Sequence, residues 1–190
     1  MTQEQAWELM RRAGALEKGH FLMKSGRHAD LFLQCAHLAE HADITGELCR
    51  ALAERCRDCD CDLVMAPALG GLIFGYEVSR ALGKRFIYCE RKEGVMTLRR
   101  GFEIQKGEKV LITEDVVTTG KSSMETAKVI EELGGEVVGI ACIVDRRVNE
   151  IFCPVYSAMQ LEIATYEADE CPLCKAGIPL VKPGSRKFDK

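Results

Sequence analysis

Residues 110–123 carry the side chains and the chain pattern that suit a sugar phosphate. An apolar run ends at two acids, Glu114 and Asp115, and a turn with two threonines and one glycine leads into a helix. Carboxylates accept hydrogen bonds from sugar hydroxyls. The first turn of a helix offers free N–H groups and the positive end of the helix dipole to a phosphate. This segment therefore predicts a sugar-phosphate site.

The same segment allows two other interpretations. The phosphate loop of nucleotide triphosphatases requires the pattern G-x-x-x-x-G-K-[ST]. Gly120, Lys121 and Ser122 supply its end, but its first glycine falls on Asp115, and this excludes that loop. An ordinary strand, turn and helix with an acidic strand end remains open, because threonine, glycine and serine are common in turns.

Two further polar features follow apolar runs elsewhere in the chain. Residues 63–66 lead into the glycine-rich turn 67–71, and residues 137–144 end at Asp145 and Arg146. The turn suits a pyrophosphate through its backbone amides, although glycines also serve tight connections. Ligands in parallel α/β sheets bind at the carboxyl ends of strands, so all three polar features are expected at one edge of the sheet.

The elements that must position these residues alternate between short strands and amphipathic helices. This alternation predicts an α/β fold with a parallel central sheet and helices on both faces. The predicted helices are 3–15, 41–57, one beginning at 72 and one over about 121–133. Beside the strand that opens the acidic segment, the predicted strands are 63–66, 86–89, 137–144, 155–158 and 161–164. Residues 19–33 predict a hairpin or two short strands, and residues 90–102 a long hairpin or mobile loop.

Composition narrows the class of protein. The chain has 190 residues, of which 47% are apolar and 29% charged, and its net charge of −3 does not indicate a nucleic-acid binder. No apolar stretch approaches the roughly 20 residues of a membrane span. Residues 1–16 lack the apolar core of a signal peptide. We therefore expect a single cytoplasmic domain without nucleic-acid or membrane partners.

Ten cysteines raise the question of a metal or a disulfide framework. Without a secretion signal, disulfides are not expected. Cys56-x-x-Cys59 and Cys171-x-x-Cys174 each have zinc-ligand spacing, and together they would make a four-cysteine site. More than 100 residues separate the two pairs. Free thiols near the surface are therefore the favoured interpretation, and no metal ligand is assigned. The four histidines, all within residues 20–41, are interpreted as surface residues.

The acidic segment resembles the 5-phosphoribosyl-1-pyrophosphate (PRPP) motif of the type I phosphoribosyltransferases, an apolar strand with an acidic pair, two residues and Thr-Thr-Gly-x-Ser. Lys-Ser-Gly-Arg at 24–27, the Arg-Lys loop at 91–92 and Val-Asp-Arg at 144–146 occur in the order of the orotate phosphoribosyltransferases. The terminal Cys-Pro-Leu-Cys and the Leu-Arg-Arg-Gly-Phe loop resemble a bacterial subgroup typified by thermophile enzymes. The resemblance covers nearly the whole chain.

This resemblance implies a type I phosphoribosyltransferase fold with a small N-terminal hood. The expected domain is the whole chain, 1–190, with a hood of about 1–40 plus C-terminal segments, a core of about 41–165 and a tail at 171–190. The implied reaction converts orotate and PRPP into orotidine 5′-monophosphate and pyrophosphate, with Mg²⁺. The resemblance also implies a homodimer in which a loop of one subunit completes the site of the other.

The family pattern assigns roles to individual residues. The implied catalytic residues are Arg91, Lys92, Glu114 and Asp115. The implied PRPP-binding residues are these four together with Lys24, Val116, Val117, Thr118, Thr119, Gly120, Lys121 and Ser122. Thr118 and Arg146 match the residues that contact orotate, whose carboxylate requires a cation.

Some positions depart from the family pattern. Many relatives carry a further lysine and histidine soon after the Arg-Lys pair, whereas here residues 94–98 intervene and the next cations are Arg99 and Arg100. Either arginine is open for that role. A purine phosphoribosyltransferase of the same fold and a non-enzymatic PRPP-sensing regulator remain as alternatives. The first would not need Arg146, and the second should lose the loop cations.

Overall fold

The computed structural model describes residues 1–183, and its elements alternate along the chain as the sequence predicts. The helices are α1 (Gln3–Arg12), α2 (Ala42–Arg55), α3 (Leu72–Leu82), α4 (Lys121–Glu132) and α5 (Pro172–Lys175), with a 3-10 helix at Cys35–Glu40. The strands are β1 (Leu16–Leu22), β2 (His28–Leu33), β3 (Leu63–Pro67), β4 (Arg85–Lys92), β5 (Val95–Leu98), β6 (Lys109–Val117), β7 (Glu136–Asp145), β8 (Val155–Gln160) and β9 (Thr165–Tyr166).

The central sheet has six strands in the order β5-β4-β3-β6-β7-β8. All neighbouring pairs are parallel except β4 and β5, which form an antiparallel hairpin. Since β3, β6 and β7 are parallel, their carboxyl ends lie at one edge of the sheet. The predicted parallel sheet and the hairpin within 90–102 are therefore confirmed.

Alternate side chains of the central strands enter two separate cores, one on each face of the sheet. In β6, Leu111 packs into the core that holds the buried face of α2, whereas its neighbour Ile112 packs into the core that holds Ile130 of α4. This alternation follows from the period of two in a strand. It explains why the sequence shows continuous apolar runs, since both faces of these strands are buried.

A second sheet, of strands β1, β2 and β9, forms the hood. The β1–β2 hairpin is antiparallel and has an irregularity between Lys18 and Phe21. Leu16 and Leu31 join the core on the α2 side, which anchors the hood to the central domain. The hairpin predicted over residues 19–33 is confirmed.

The strand predicted at 161–164 is wrong. The Leu161 amide donates to the Asp145 carbonyl at 2.9 Å, which ends the pairing of β7 with β8. The chain then crosses to the hood, where Thr165–Tyr166 pair with His28 and Ala29. Residues 161–164 therefore connect the central sheet to the hood and do not form a strand.

The surface interpretation of the histidines is wrong for His20 and His28, which are only 2% and 5% exposed. It is also wrong for the thiols of Cys56, Cys59 and Cys171, which are buried. A C-terminal segment, residues 171–181, covers the outer part of the β1–β2 hairpin and explains the burial of the two histidines. Residues 184–190, the last part of the predicted tail, lie outside the described residues.

Helices in residues 1–183 are all too short or too polar to cross a membrane.

Candidate active site

The turn between β6 and α4 forms a small cavity of about 190 Å³ lined by residues 114–123. The turn depends on Gly120, whose φ of 70° lies in the left-handed region that favours glycine. A Cβ on Gly120 would also lie 2.8 Å from Cδ1 of Ile151. The Met124 amide donates to the Gly120 carbonyl at 2.8 Å and starts the helix. The Lys121 amide makes a long bond of 3.4 Å to the Thr119 hydroxyl oxygen, and the first-turn residues Lys121, Ser122 and Ser123 line the cavity, as an anion site requires.

Glu114 and Asp115 form the acidic side of this cavity. Glu114 is 7% exposed, and the Ser123 hydroxyl donates to its Oε1 at 3.4 Å. Burial, assisted by the charge of Asp115, raises the pKa of Glu114 to about 8. Burial also raises the pKa of Asp115, although the Val116 amide donates to its Oδ1 at 2.8 Å. In residues 1–183 neither carboxylate forms an ion pair, so both remain available to a ligand.

The raised pKa of Glu114 predicts a measurable effect of Glu114→Gln on stability. The folded-state pKa of about 8 exceeds the ordinary value of 4.5, so the folded protein holds this proton more tightly than the unfolded chain. The free energy of unfolding should therefore fall by about 2 kcal/mol between pH 6 and pH 8 on account of this group. In urea unfolding, the Glu114→Gln variant should not show this fall in the free energy of unfolding. Glu131→Gln, on the exposed side of α4, should retain it; the same pH dependence in all three proteins would contradict the prediction.

The glycine-rich turn after β3 lies directly against the acidic pair. A Cβ on Gly70 would be 2.9 Å from Oδ2 of Asp115, and one on Gly71 would be 2.5 Å from the Thr113 carbonyl oxygen. Only glycines permit this approach. The turn also contains a cis peptide bond between Ala68 and Leu69. The sequence prediction that this turn and the acidic segment meet at one edge is therefore confirmed.

Three of the four loop cations are paired with acidic side chains of the same chain. Arg91 pairs with Glu125 of α4 and donates to the Gly94 carbonyl at 3.0 Å. Arg99 and Arg100 both pair with Glu90, at 3.1 and 3.0 Å. Lys92 forms no ion pair in the described part of the chain. Neither Arg91 nor Lys92 lines the cavity of residues 114–123.

A larger cleft of about 810 Å³ adjoins the carboxyl ends of β7 and β8. Arg147 is bound to Asp145 there, because its Nε donates to Oδ1 at 2.9 Å and its Nη2 donates to Oδ2 at 2.8 Å. Burial acts to raise the pKa of Asp145, but these hydrogen bonds outweigh it and hold that pKa below its ordinary value. Arg146 is different, because its buried Nε has no hydrogen-bond partner within residues 1–183. Its guanidinium remains available to an anion in the cleft.

Thr118 connects the two cavities, because it lines both of them. The hood also reaches this region. Burial raises the pKa of the Cys35 thiol, and the charge of Asp115 raises it further while that of Arg146 lowers it. The start of the 3-10 helix therefore lies close to the acidic pair and to the free arginine. Lys24 lies in the β1–β2 turn and lines neither cavity.

Several residues of the site were missed in the sequence. Ser123 hydrogen-bonds Glu114, and residues 160–163 line the larger cleft. Residues 160–163 follow a predicted parallel strand, and this position could have indicated that they lie at the ligand-binding edge of the sheet. The family pattern singles out Arg146, but the local order Asp-Arg-Arg by itself gives no reason to prefer it over Arg147.

Comparison with known proteins identifies the family of this chain. Residues 39–153 match the phosphoribosyl transferase domain family. A curated orotate phosphoribosyltransferase of Caldanaerobacter subterraneus subsp. tengcongensis is 49% identical over 190 residues, which cover 99% of this chain and 100% of the relative. This chain belongs to the orotate phosphoribosyltransferases.

Two solved orotate phosphoribosyltransferases share the fold. The enzyme of Aeropyrum pernix is 21% identical with a TM-score of 0.70, over 81% of this chain and 92% of that one. The enzyme of Mycobacterium tuberculosis H37Rv in complex with PRPP is 25% identical with a TM-score of 0.67, over 84% and 96% of the two chains. The family and the type I fold expected from the motif are therefore confirmed.

Proposed function

We propose that this orotate phosphoribosyltransferase holds PRPP in the cavity of residues 114–123 and orotate in the adjoining cleft at Arg146. The observation that carries this assignment is that Thr118 borders both cavities. One cavity offers carboxylates and helix-start amides, and the other offers an unpaired guanidinium. Two reactants bound on either side of one residue are held for a reaction that is otherwise bimolecular, which lowers its entropic barrier.

The transfer breaks the bond between the anomeric carbon and the pyrophosphate oxygen and forms a bond from that carbon to a ring nitrogen of orotate. The proton of this nitrogen passes to the departing pyrophosphate. The anomeric carbon becomes positively charged as pyrophosphate leaves. Glu114 and Asp115 accept hydrogen bonds from the ribose hydroxyls, and Asp115 places negative charge near this carbon. Glu114, whose pKa is raised to about 8 by burial and by the charge of Asp115, adds a second negative charge when it ionises beside the developing positive charge. Such fixed charge stabilises the transition state more than the ground state. Arg146 pairs with the carboxylate of orotate. This contact orients orotate so that the reacting ring nitrogen faces Thr118.

The phosphates of PRPP are bound mainly by backbone groups in this proposal. The 5′-phosphate is held by the turn and helix start at residues 118–122, with Val116 and Val117 closing the wall of the cavity. The pyrophosphate lies toward the turn that contains Gly70 and Gly71. Arg91 and Lys92, together with Lys24 of the hood, supply positive charge to it. This role requires Arg91 to exchange Glu125 for the ligand.

The acidic pair also fits Mg²⁺. This ion prefers oxygen ligands and commonly binds through one or two carboxylates, substrate phosphates and water. Asp115 and Glu114 provide such oxygens, and neither is paired with a cation in residues 1–183. When bound, Mg²⁺ would neutralise the charge that develops on the departing pyrophosphate.

The specificity of the cleft can be tested with a panel of bases. With PRPP and Mg²⁺, orotate should be consumed, and its loss is followed by ultraviolet absorbance. Uracil, which lacks the carboxylate, should react far more slowly because Arg146 has no anion to bind. Adenine, guanine and hypoxanthine should not react. Turnover of a purine in place of orotate would overturn the assignment.

A homodimer with shared sites is the second part of the proposal. Leu69, Ile73 and Tyr76 form an exposed apolar surface beside the pyrophosphate turn, with 82%, 47% and 58% of their surfaces exposed. Contact with a second copy would cover this surface. In such a dimer the β4–β5 hairpin would serve the neighbouring site, which accounts for the absence of Lys92 from the lining of the cavity in its own chain.

Subunit mixing tests the shared site. Lys92→Ala and Asp115→Ala homodimers should each be nearly inactive. Mixed dimers should regain up to about a quarter to half of the wild-type activity, because one of the two sites combines intact residues from both chains. Native mass spectrometry verifies that mixed dimers have formed. An absence of rescue in verified mixed dimers would show that the hairpin acts within its own chain.

We place the protein in the cytoplasm. The cysteines of the chain are all free, and eight of the ten are buried. Reduced thiols in such number are typical of a reducing compartment.

A further inference from the structure

Two histidines of the hood and two cysteines of the C-terminal segment converge outside the active site. They are His20 on β1, His28 on β2, and Cys171 and Cys174 at α5. One ligand atom from each lies within 4.8 Å of the other three. Nε2 of His20 is 2.9 Å from Nδ1 of His28 and 3.5 Å from Sγ of Cys171. Sγ of Cys174 is 3.3 Å from Nδ1 of His28.

The orientation of His20 is suited to metal binding. Its Nδ1 lies 2.7 Å from the Ile178 carbonyl oxygen, which can only accept a hydrogen bond. Nδ1 therefore carries the proton, and the lone pair of Nε2 points at His28 and the two sulfurs. A histidine ligand commonly donates its second ring N–H to a carbonyl in this way, which fixes its tautomer and orientation.

We propose that His20, His28, Cys171 and Cys174 bind one structural Zn²⁺ ion. Zinc is held tetrahedrally by two nitrogens and two sulfurs, with Zn–N near 2.0 Å and Zn–S near 2.3 Å, so neighbouring ligand atoms are separated by roughly 3.3–3.8 Å. Four of the six distances between the ligand atoms are 2.9 to 3.7 Å and all six are within 4.8 Å, so the cluster already approaches this arrangement. Two thiolates balance the charge of Zn²⁺, which suits a site where three of the four ligands are buried.

The role of the ion follows from what it connects. The helix α5 has four residues and buries none of them, and Ile178, Leu180 and Val181 are all more than 40% exposed. Apolar burial therefore contributes little to holding this segment. Two backbone hydrogen bonds of 2.8 Å join Val181 to β1. The Leu22 amide donates to the Val181 carbonyl, and the Val181 amide donates to the His20 carbonyl. Four protein ligands leave no open position, so the zinc fastens the C-terminal segment to the hood rather than taking part in the transfer.

The experiment is metal analysis of the whole untagged protein, grown in zinc-containing medium and purified without chelators. Mass spectrometry of the elements should find about one zinc per chain, and the Cys171→Ser, Cys174→Ser double variant should hold almost none. Cys56→Ser, Cys59→Ser removes the other Cys-x-x-Cys pair and should leave the zinc content unchanged. Loss of zinc from the Cys56→Ser, Cys59→Ser variant alone would place the metal at that cysteine pair and overturn the proposal.

Replacement of zinc by Co²⁺ tests the ligands without a mutation. The cobalt protein should show the intense visible bands of a tetrahedral ion and thiolate charge-transfer absorption in the near ultraviolet. Hydrogen exchange after zinc removal should accelerate at least tenfold in residues 20–28 and 171–181 and remain unchanged in α4. Wild-type protein with no zinc and no cobalt bands would overturn the site, as would a Cys171–Cys174 disulfide, seen as a mass lower by 2 Da. Orotate turnover is not the readout, so failure here leaves the proposed transfer reaction standing.

Discussion

Replacing Arg146 with alanine is expected to raise the KM for orotate by roughly 10- to 100-fold while the KM for PRPP changes little. The expected size follows from the loss of charged hydrogen bonds, worth about 1.5–3 kcal/mol, at a factor of ten for each 1.4 kcal/mol. The reason is structural, since the buried Nε of Arg146 has no partner within residues 1–183 and burial lowers the pKa of its guanidinium. Steady-state kinetics with each substrate varied in turn provide the measurement.

Arg147→Ala is the matched control, because it removes the neighbouring guanidinium from the same strand end. Arg147 is bound to both oxygens of Asp145, so its loss leaves a buried carboxylate without its partner. We expect a fall in the free energy of unfolding of about 2–4 kcal/mol and a smaller effect on the orotate KM. Equal changes in the orotate KM for the two variants would contradict the assigned division of roles.

The second large effect is expected from Asp115→Asn, which should lower kcat by roughly 10²- to 10³-fold, the cost of removing one preorganised electrostatic contact to a transition state. The same variant should unfold at an equal or higher temperature than the wild type. Burial raises the pKa of Asp115, so its charge opposes folding in the absence of ligand. Activity and stability should therefore change in opposite directions.

Asp145→Asn provides the contrast for this prediction. The hydrogen bonds from Arg147 hold the pKa of Asp145 below its ordinary value, so its charge stabilises the folded state and its removal should lower the unfolding temperature. Rapid-quench kinetics for Asp115→Asn and calorimetry for both variants complete the comparison. An Asp115→Asn protein that keeps kcat within a few fold, or that loses stability, would contradict the role of Asp115.

The parts of the site that lie within one short segment could be predicted from the sequence. Glu114, Asp115 and the turn to Gly120 are consecutive, and each step of that segment has a local physical signature. The strands that carry them are buried on both faces, so their apolar runs were also visible. The meeting of the Gly70 turn with Asp115 followed from the rule that strand ends share an edge.

The remaining parts depend on contacts between distant residues or on the choice of side-chain partner. Nothing in the order Asp-Arg-Arg indicates that Asp145 binds the second arginine and leaves the first one free. His20 and Cys171 are 151 residues apart in sequence, and only the folding of the C-terminal segment onto the hood brings them together. In the described residues Cys171 and Cys174 converge with the two histidines and not with Cys56 and Cys59. Spacing identifies a pair of ligands but not its partners, so the four-cysteine site could only be an unfavoured alternative in the sequence.

The central claim is that PRPP and orotate occupy the two cavities joined at Thr118 and react there with each other. The most direct measurement is product analysis by mass spectrometry after incubation of the purified protein with PRPP, orotate and Mg²⁺. We expect orotidine 5′-monophosphate and pyrophosphate in equal amounts, with no pyrophosphate released when orotate is omitted. Formation of ribose 5-phosphate in place of orotidine 5′-monophosphate, or no reaction of orotate, would contradict it.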